Sequence, residues 1–116
     1  MIQLPTSPSV MFIPSFELYG HVLLLFKKNK EAKEMFEESL RQRMGRIQSI
    51  VGLARAHATL GNTKKADFFY QYSINQLSEA KQDNQFVKEA KLWLDTEGRI
   101  RDNPERLREI WKWPYF

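Results

Sequence analysis

The chain has no cysteine, which excludes disulfide bonds, thiolate metal sites and cysteine nucleophiles. The longest apolar run, residues 22–26, is far shorter than the roughly 20 residues that a membrane-spanning helix needs. Residues 1–5 lack the basic and apolar regions of a signal peptide. We therefore expect a soluble, cytoplasmic protein.

Histidine is scarce, and motifs for catalysis are missing. The only histidines are His21 and His57, and neither has a serine or carboxylate at the spacing of a catalytic triad or dyad. Neither a metal-binding His-Glu-x-x-His motif nor a glycine-rich phosphate loop occurs. We expect no enzymatic activity, no cofactor and no metal site.

Apolar residues recur at the three- and four-residue steps of an α-helix in four successive segments. The first runs from Ser15 to about Phe26, and the second continues through about Arg43, where Gly45 follows as a helix stop. Two further segments repeat this plan around a turn at residues 60–62. The prolines of residues 1–14 instead predict an extended arm.

The two halves superpose with an offset of 34 residues. The matched pairs are Phe16 with Ile50, Tyr19 with Leu53, Gly20 with Ala54, Ala32 with Ala66, Phe36 with Tyr70, Ser39 with Ser73 and Leu40 with Ile74. Small residues alternate with large ones, as helices that pack closely require.

This pattern resembles the tetratricopeptide repeat (TPR) family over about residues 13–80. The matching motifs are Phe16-x2-Tyr19-Gly20-x2-Leu23 with Ala32-x3-Phe36, and Ile50-x2-Leu53-Ala54-x2-His57 with Ala66-x3-Tyr70. The chain departs from the family at Lys27, where glycine is usual, at His57, where tyrosine is usual, and in lacking the prolines that close repeats. The resemblance implies an all-α fold, a short right-handed solenoid of antiparallel helix-turn-helix units.

Beyond Ser78 the repeat loses its register. We predict a capping helix from about Asn84 to Leu94, ending near Gly98, because terminal repeats need a polar outer side. Asn103-Pro104-Glu105 predicts the start of another short helix, which Pro114 ends. The predicted organisation is an arm at 1–14, a TPR-like domain at 15–98 and an aromatic tail at 99–116 that packs on the domain or on a partner chain.

The resemblance also implies where a partner binds, since the first helices of TPR units line a concave groove. The candidate groove residues are Glu17, His21, Leu24, Leu25, Gln48, Val51, Arg55, Ala58 and Thr59. Alternatives stay open for some of them: Leu24 and Leu25 could pack on the arm or a later helix. Arg55 suits a carboxylate or a peptide carbonyl, but it could also pair with Glu17 or Glu89.

These observations favour a protein–protein interaction module, an adaptor that holds a peptide or helix of another protein. The alternative is a basic nucleic-acid-associated domain, because 18 basic residues exceed 14 acidic ones and the tail interleaves basic and aromatic residues. The mixed charges make nucleic acid the weaker hypothesis. The aromatic tail or the arm could also pair two copies into a homo-oligomer. The sequence does not identify the partner.

Overall fold

The computed structural model describes residues 15–43, 45–76, 84–94 and 107–114. All regular structure within these ranges is helical, which confirms the all-α fold class. The helices are α1 (Ser15–Leu25), α2 (Asn29–Gln42), α3 (Ile47–Thr59), α4 (Thr63–Gln76), α5 (Gln85–Trp93) and a single turn, α6 (Leu107–Ile110). The arm at 1–14, the boundary at 98–99 and the predicted helix start at 103–105 lie outside the described residues.

The 34-residue offset reappears in the backbone. The bounds of α2 and α4 differ by 34 residues at both ends. The turn before each helix is closed in the same way: the Lys28 N–H donates to the Leu23 carbonyl at 2.9 Å, and the Asn62 N–H to the His57 carbonyl at 2.8 Å. Each of these bonds spans the last turn of a helix and satisfies a carbonyl that would otherwise lack a partner there.

Lys27 occupies the left-handed position of the first of these turns. Its φ is 62°, and the matching residue of the second turn, Gly61, has a φ of 86°. A side chain in this region costs about 1–2 kcal/mol because its Cβ crowds the following carbonyl. Lysine at position 27, where glycine is usual in the repeat, therefore strains the backbone locally. The turn nevertheless has the same shape as the second turn.

From α1 to α5 each helix packs on the next one, and α1 also contacts α3. Phe36 of α2 is fully buried in the first core, together with Leu23, Leu24 and Leu53. Its ring occupies the space beside two glycines: a Cβ added at Gly20 would lie 2.8 Å from it, and one added at Gly52 2.3 Å. Both glycines are therefore needed for three helices to meet around one aromatic ring.

A second core joins α3, α4, α5 and α6. Tyr70, Trp93 and Leu107 are fully buried in it. The Trp93 Nε1–H donates to an oxygen of Asp67 at 2.7 Å, which fixes α5 on α4. Helix α5 begins where the sequence predicts, because the Asn84 side chain accepts a hydrogen bond from the Phe86 N–H at 2.7 Å.

The buried face of α1 differs from the one that its apolar spacing predicts. The apolar spacing places Tyr19, Leu23 and Phe26 on one face, yet of these only Leu23 is buried, and 44% of the Tyr19 surface and 71% of the Phe26 surface are exposed. The other buried side chains of α1 are Glu17, His21 and Leu24, at the spacing of one helical face. The helix is turned in this way because its polar face is covered by other parts of the chain.

Candidate binding groove

Four of the nine candidate groove residues, His21, Leu24, Leu25 and Arg55, line one cavity beside α1 and α3, which we call the inner groove. Val51 and Ala58 belong instead to the second core. Most of the nine side chains are buried rather than open to solvent: Glu17, His21, Leu24, Val51, Arg55 and Ala58. Gln48 and Thr59 are partly buried. Leu25 is the exception, with 61% of its surface exposed at the rim.

The inner groove is covered by the chain's own residues 107–114, which we call the C-terminal segment. Arg108 anchors it to the first helical pair: its Nη1 donates to the Leu24 carbonyl at 2.5 Å, and its Nη2 to the side-chain oxygen of Asn29 at 2.9 Å. Leu107 is fully buried in the second core. The segment is thereby fixed at both helical pairs.

Arg55 lies at the centre of the inner groove, with only 3% of its surface exposed. It makes a bidentate ion pair with Glu89 of α5, Nε to Oε2 at 2.9 Å and Nη2 to Oε1 at 2.6 Å. Nη2 also donates to the backbone carbonyl of Lys112 at 3.2 Å, and the guanidinium lies 5.1 Å from the Trp111 ring centre. Of the alternatives that the sequence left open, Arg55 therefore takes the pair with Glu89 and a peptide carbonyl together.

The pair is a closed network within the described residues. The Tyr70 hydroxyl donates to Glu89 Oε2 at 2.6 Å. Burial would lower the pKa of Arg55, but the adjacent Glu89 carboxylate outweighs it, so that pKa is raised. Burial, followed by the negative charge of Glu89, raises the pKa of Tyr70 well above its ordinary value. Arg55 therefore stays protonated and Tyr70 stays neutral at neutral pH.

Glu17 has a structural partner as well. Arg46 holds it with two hydrogen bonds, Nε to Oε1 at 2.8 Å and Nη2 to Oε2 at 2.9 Å, and the Ser49 hydroxyl donates to Oε1 at 2.7 Å. This network fixes the start of α1 against the start of α3. Glu17 thus carries a buried, compensated charge, as buried carboxylates require.

The two histidines are both buried and neutral. His21 Nε2 donates to the Gln48 carbonyl at 3.0 Å, and its ring meets the ring of Trp113 edge-on, 6.3 Å between centres. Burial, followed by the positive charge of Arg55, lowers the pKa of His21 to about 3. The pKa of His57, lowered by burial and then by nearby lysines, is about 4. Neither is suited to proton transfer at neutral pH.

Packing between the C-terminal segment and the inner groove is incomplete. A cavity of about 250 Å³ remains between them. Its walls are His21, Leu24, Leu25, Lys27, Arg55, Arg108, Trp111, Lys112 and Trp113. The exposed side chain of Leu25 lies in its wall, so the cavity opens to solvent at this residue.

A separate apolar groove lies between α2 and α4. It measures about 610 Å³, and its walls include Leu40, Ile50, Leu53 and Phe69. Phe68 and Tyr72 also line it, and 61% of the Phe68 surface is exposed. We call it the α2–α4 groove; none of the nine candidate residues lines it.

The sequence did not show that Arg108, Trp111 and Trp113 occupy the inner groove. The signal for it was the recurrence of tryptophan at positions 111 and 113, which is unusual for a solvated tail. Across the described ranges, no group of three or more histidine and carboxylate side chains could hold a metal ion. Over the same ranges, no helix is long and apolar enough to cross a membrane.

The chain matches no protein-family model, no curated protein and no solved structure.

Proposed function

We propose that the chain is a protein–protein interaction module of the TPR type, a short right-handed solenoid that holds an extended segment of a partner protein in its inner groove. The repeated turn and the equal offsets of α2 and α4 support the repeat architecture. The unit is a binding scaffold in this proposal, and it carries no reaction chemistry.

The observation that carries the proposal is the hydrogen bond from Arg55 to the backbone carbonyl of Lys112. A donor that binds a main-chain carbonyl recognises the path of an extended peptide whatever its side chain. The Glu89 carboxylate holds the guanidinium in place, so little freedom is lost when a peptide binds. The inner groove therefore has the chemistry of a peptide site, and it already contains a peptide segment.

A photo-cross-linking experiment tests this proposal. Benzoylphenylalanine replaces Leu25 at the rim of the inner groove in one variant and Phe68 in the α2–α4 groove in the other. The two positions are matched, since each is 61% exposed. We expect a discrete cross-linked protein from position 25 in extracts of the source cell and none, or a different one, from position 68. Equal products from both positions, or none from position 25, would contradict the groove assignment.

Among the contacts of the described residues, none favours a nucleic-acid interface. Trp111 and Trp113, the described aromatic residues of the tail, contact Arg55 and His21 of the same chain. A salt titration separates the functions, because binding to nucleic acid weakens steeply as salt rises.

A further inference from the structure

The C-terminal segment alternates between groove and solvent. Trp111 contacts the Arg55 guanidinium, Lys112 points its side chain to solvent, and Trp113 contacts the His21 ring. Residues 111–113 follow α6, and the Trp111 N–H still donates to the Leu107 carbonyl at 3.1 Å. The inner groove therefore takes two aromatic rings separated by one outward residue.

Each ring has a chemically suitable counterpart. A guanidinium near an indole ring gives a cation–π attraction, which is strongest when the cation is desolvated, as Arg55 is. The edge-on arrangement of Trp113 and His21 is one that aromatic pairs prefer. The carbonyl between the two rings accepts from Arg55. Together these contacts define a three-residue pattern rather than a general apolar surface.

The segment does not cover the inner groove completely. A cavity of about 250 Å³ stays open to solvent beside Trp113 and Leu25. The side chains in its walls lack the van der Waals contacts that a covering group would supply. A segment from another protein that fills the space makes contacts that the chain's own segment does not.

We propose that the partner's binding segment is an aromatic-x-aromatic sequence, and that residues 111–113 are a built-in occupant that it displaces. This inference rests on the proposed function and names the chemistry of its ligand. A tethered occupant competes at an effective concentration of the order of millimolar, so the intact chain binds its partner more weakly than the bare groove does.

The test uses the full chain with Trp111→Ala and Trp113→Ala, which removes both rings from the inner groove. A fluorescein-labelled peptide with the sequence of residues 107–114 is titrated into this variant and into the unaltered chain, with fluorescence anisotropy as the readout. We expect the variant to bind the peptide at least about tenfold more tightly, because its own segment no longer places rings in the groove. A control peptide with alanine at both tryptophan positions should not bind.

A second variant guards against misfolding of the first. Arg108→Ala removes the anchor to Leu24 and Asn29 but leaves every side chain of α1 and α3 in place. It should also bind the peptide more tightly than the unaltered chain. Equal affinity in all three proteins, or equal binding of the control peptide, overturns the inference. If the peptide fails while position 25 still cross-links a partner, only the ligand class is wrong; if both fail, the proposed function is wrong too.

Discussion

Replacing Arg55 by methionine removes the charge at the centre of the inner groove while keeping most of the side chain's volume. In the intact chain the Glu89 carboxylate has bonds from Arg55 and from the Tyr70 hydroxyl, and it is almost fully buried. After the substitution only the Tyr70 bond remains for this charge. The Lys112 carbonyl loses its donor as well.

Removing one partner of a buried ion pair costs about 3–5 kcal/mol, because the remaining charge stays desolvated. This is a large part of the 5–15 kcal/mol that holds a typical domain together. Replacing both partners by apolar residues is far less costly, since no charge is then left in the interior. We therefore expect Arg55→Met to be strongly destabilising, and the double variant with Glu89→Leu to recover at least about 2 kcal/mol of that loss.

Urea denaturation of the four proteins of this double-mutant cycle measures the coupling between Arg55 and Glu89. The dependence of unfolding free energy on urea should be the same in all four, so that the midpoints report stability alone. Arg41→Met is the matched control, because Arg41 is an exposed partner of Glu38 and surface pairs contribute about 0–1 kcal/mol. Purely additive losses in the cycle, or a loss at Arg55 no larger than at Arg41, would refute the reasoning.

Three further predictions concern the helical scaffold. Lys27→Gly should raise the free energy of unfolding by about 1 kcal/mol, because glycine adopts a positive φ without strain. Lys28→Gly should give no such gain, because Lys28 has an ordinary φ of −90°; equal gains at both positions would contradict the strain at Lys27. Gly52→Ala should lower the free energy of unfolding by about 1–3 kcal/mol in the same urea assay, because the added Cβ meets the ring of Phe36. The loss should be smaller when Phe36 is also changed to leucine, and a Gly52→Ala variant that is more stable than the unaltered chain excludes this contact. Because of His21, the free energy of unfolding should fall by about 2 kcal/mol between pH 7 and pH 5. The pKa of His21 is about 3 in the folded chain and 6.5 in the unfolded chain, so the unfolded chain takes up the proton first as the pH falls. His21→Gln should lose this part of the pH dependence, and an unchanged dependence would contradict the prediction.

Helix positions were predictable from the sequence wherever local chemistry decides them. The offset between Ala32 and Ala66 correctly placed α2 and α4, since small residues at matching positions admit the neighbouring helix. The Asn84 side chain correctly indicated the start of α5, because its hydrogen bond is made within one turn. Gly45 was expected to adopt a left-handed conformation, and its φ is 84°. Each of these features depends on residues close in sequence.

The inner groove was less predictable because distant residues decide its state. Nothing near Arg55 in the sequence indicates that Trp111 lies against it, and the pairing with Glu89 was one of several alternatives. The exposure of Tyr19 follows from the same cause, since the C-terminal segment covers the opposite side of α1. A helix with polar residues on one face and apolar residues on another usually exposes the polar face. The burial of Glu17 was not predictable from its sequence neighbours, because its partner, Arg46, is 29 residues away.

The contact between the rings of Trp113 and His21 is the most direct test of the account, because it exists only if the C-terminal segment lies in the inner groove. Nuclear Overhauser effects between the ring protons of these two residues can be measured in a dilute sample of the intact chain. The ring centres are 6.3 Å apart and edge-on, so we expect cross-peaks between the nearest protons and a Trp113 spectrum shifted by neighbouring rings. An absence of these cross-peaks, with Trp113 at the chemical shifts of a free peptide, would contradict the occupied groove.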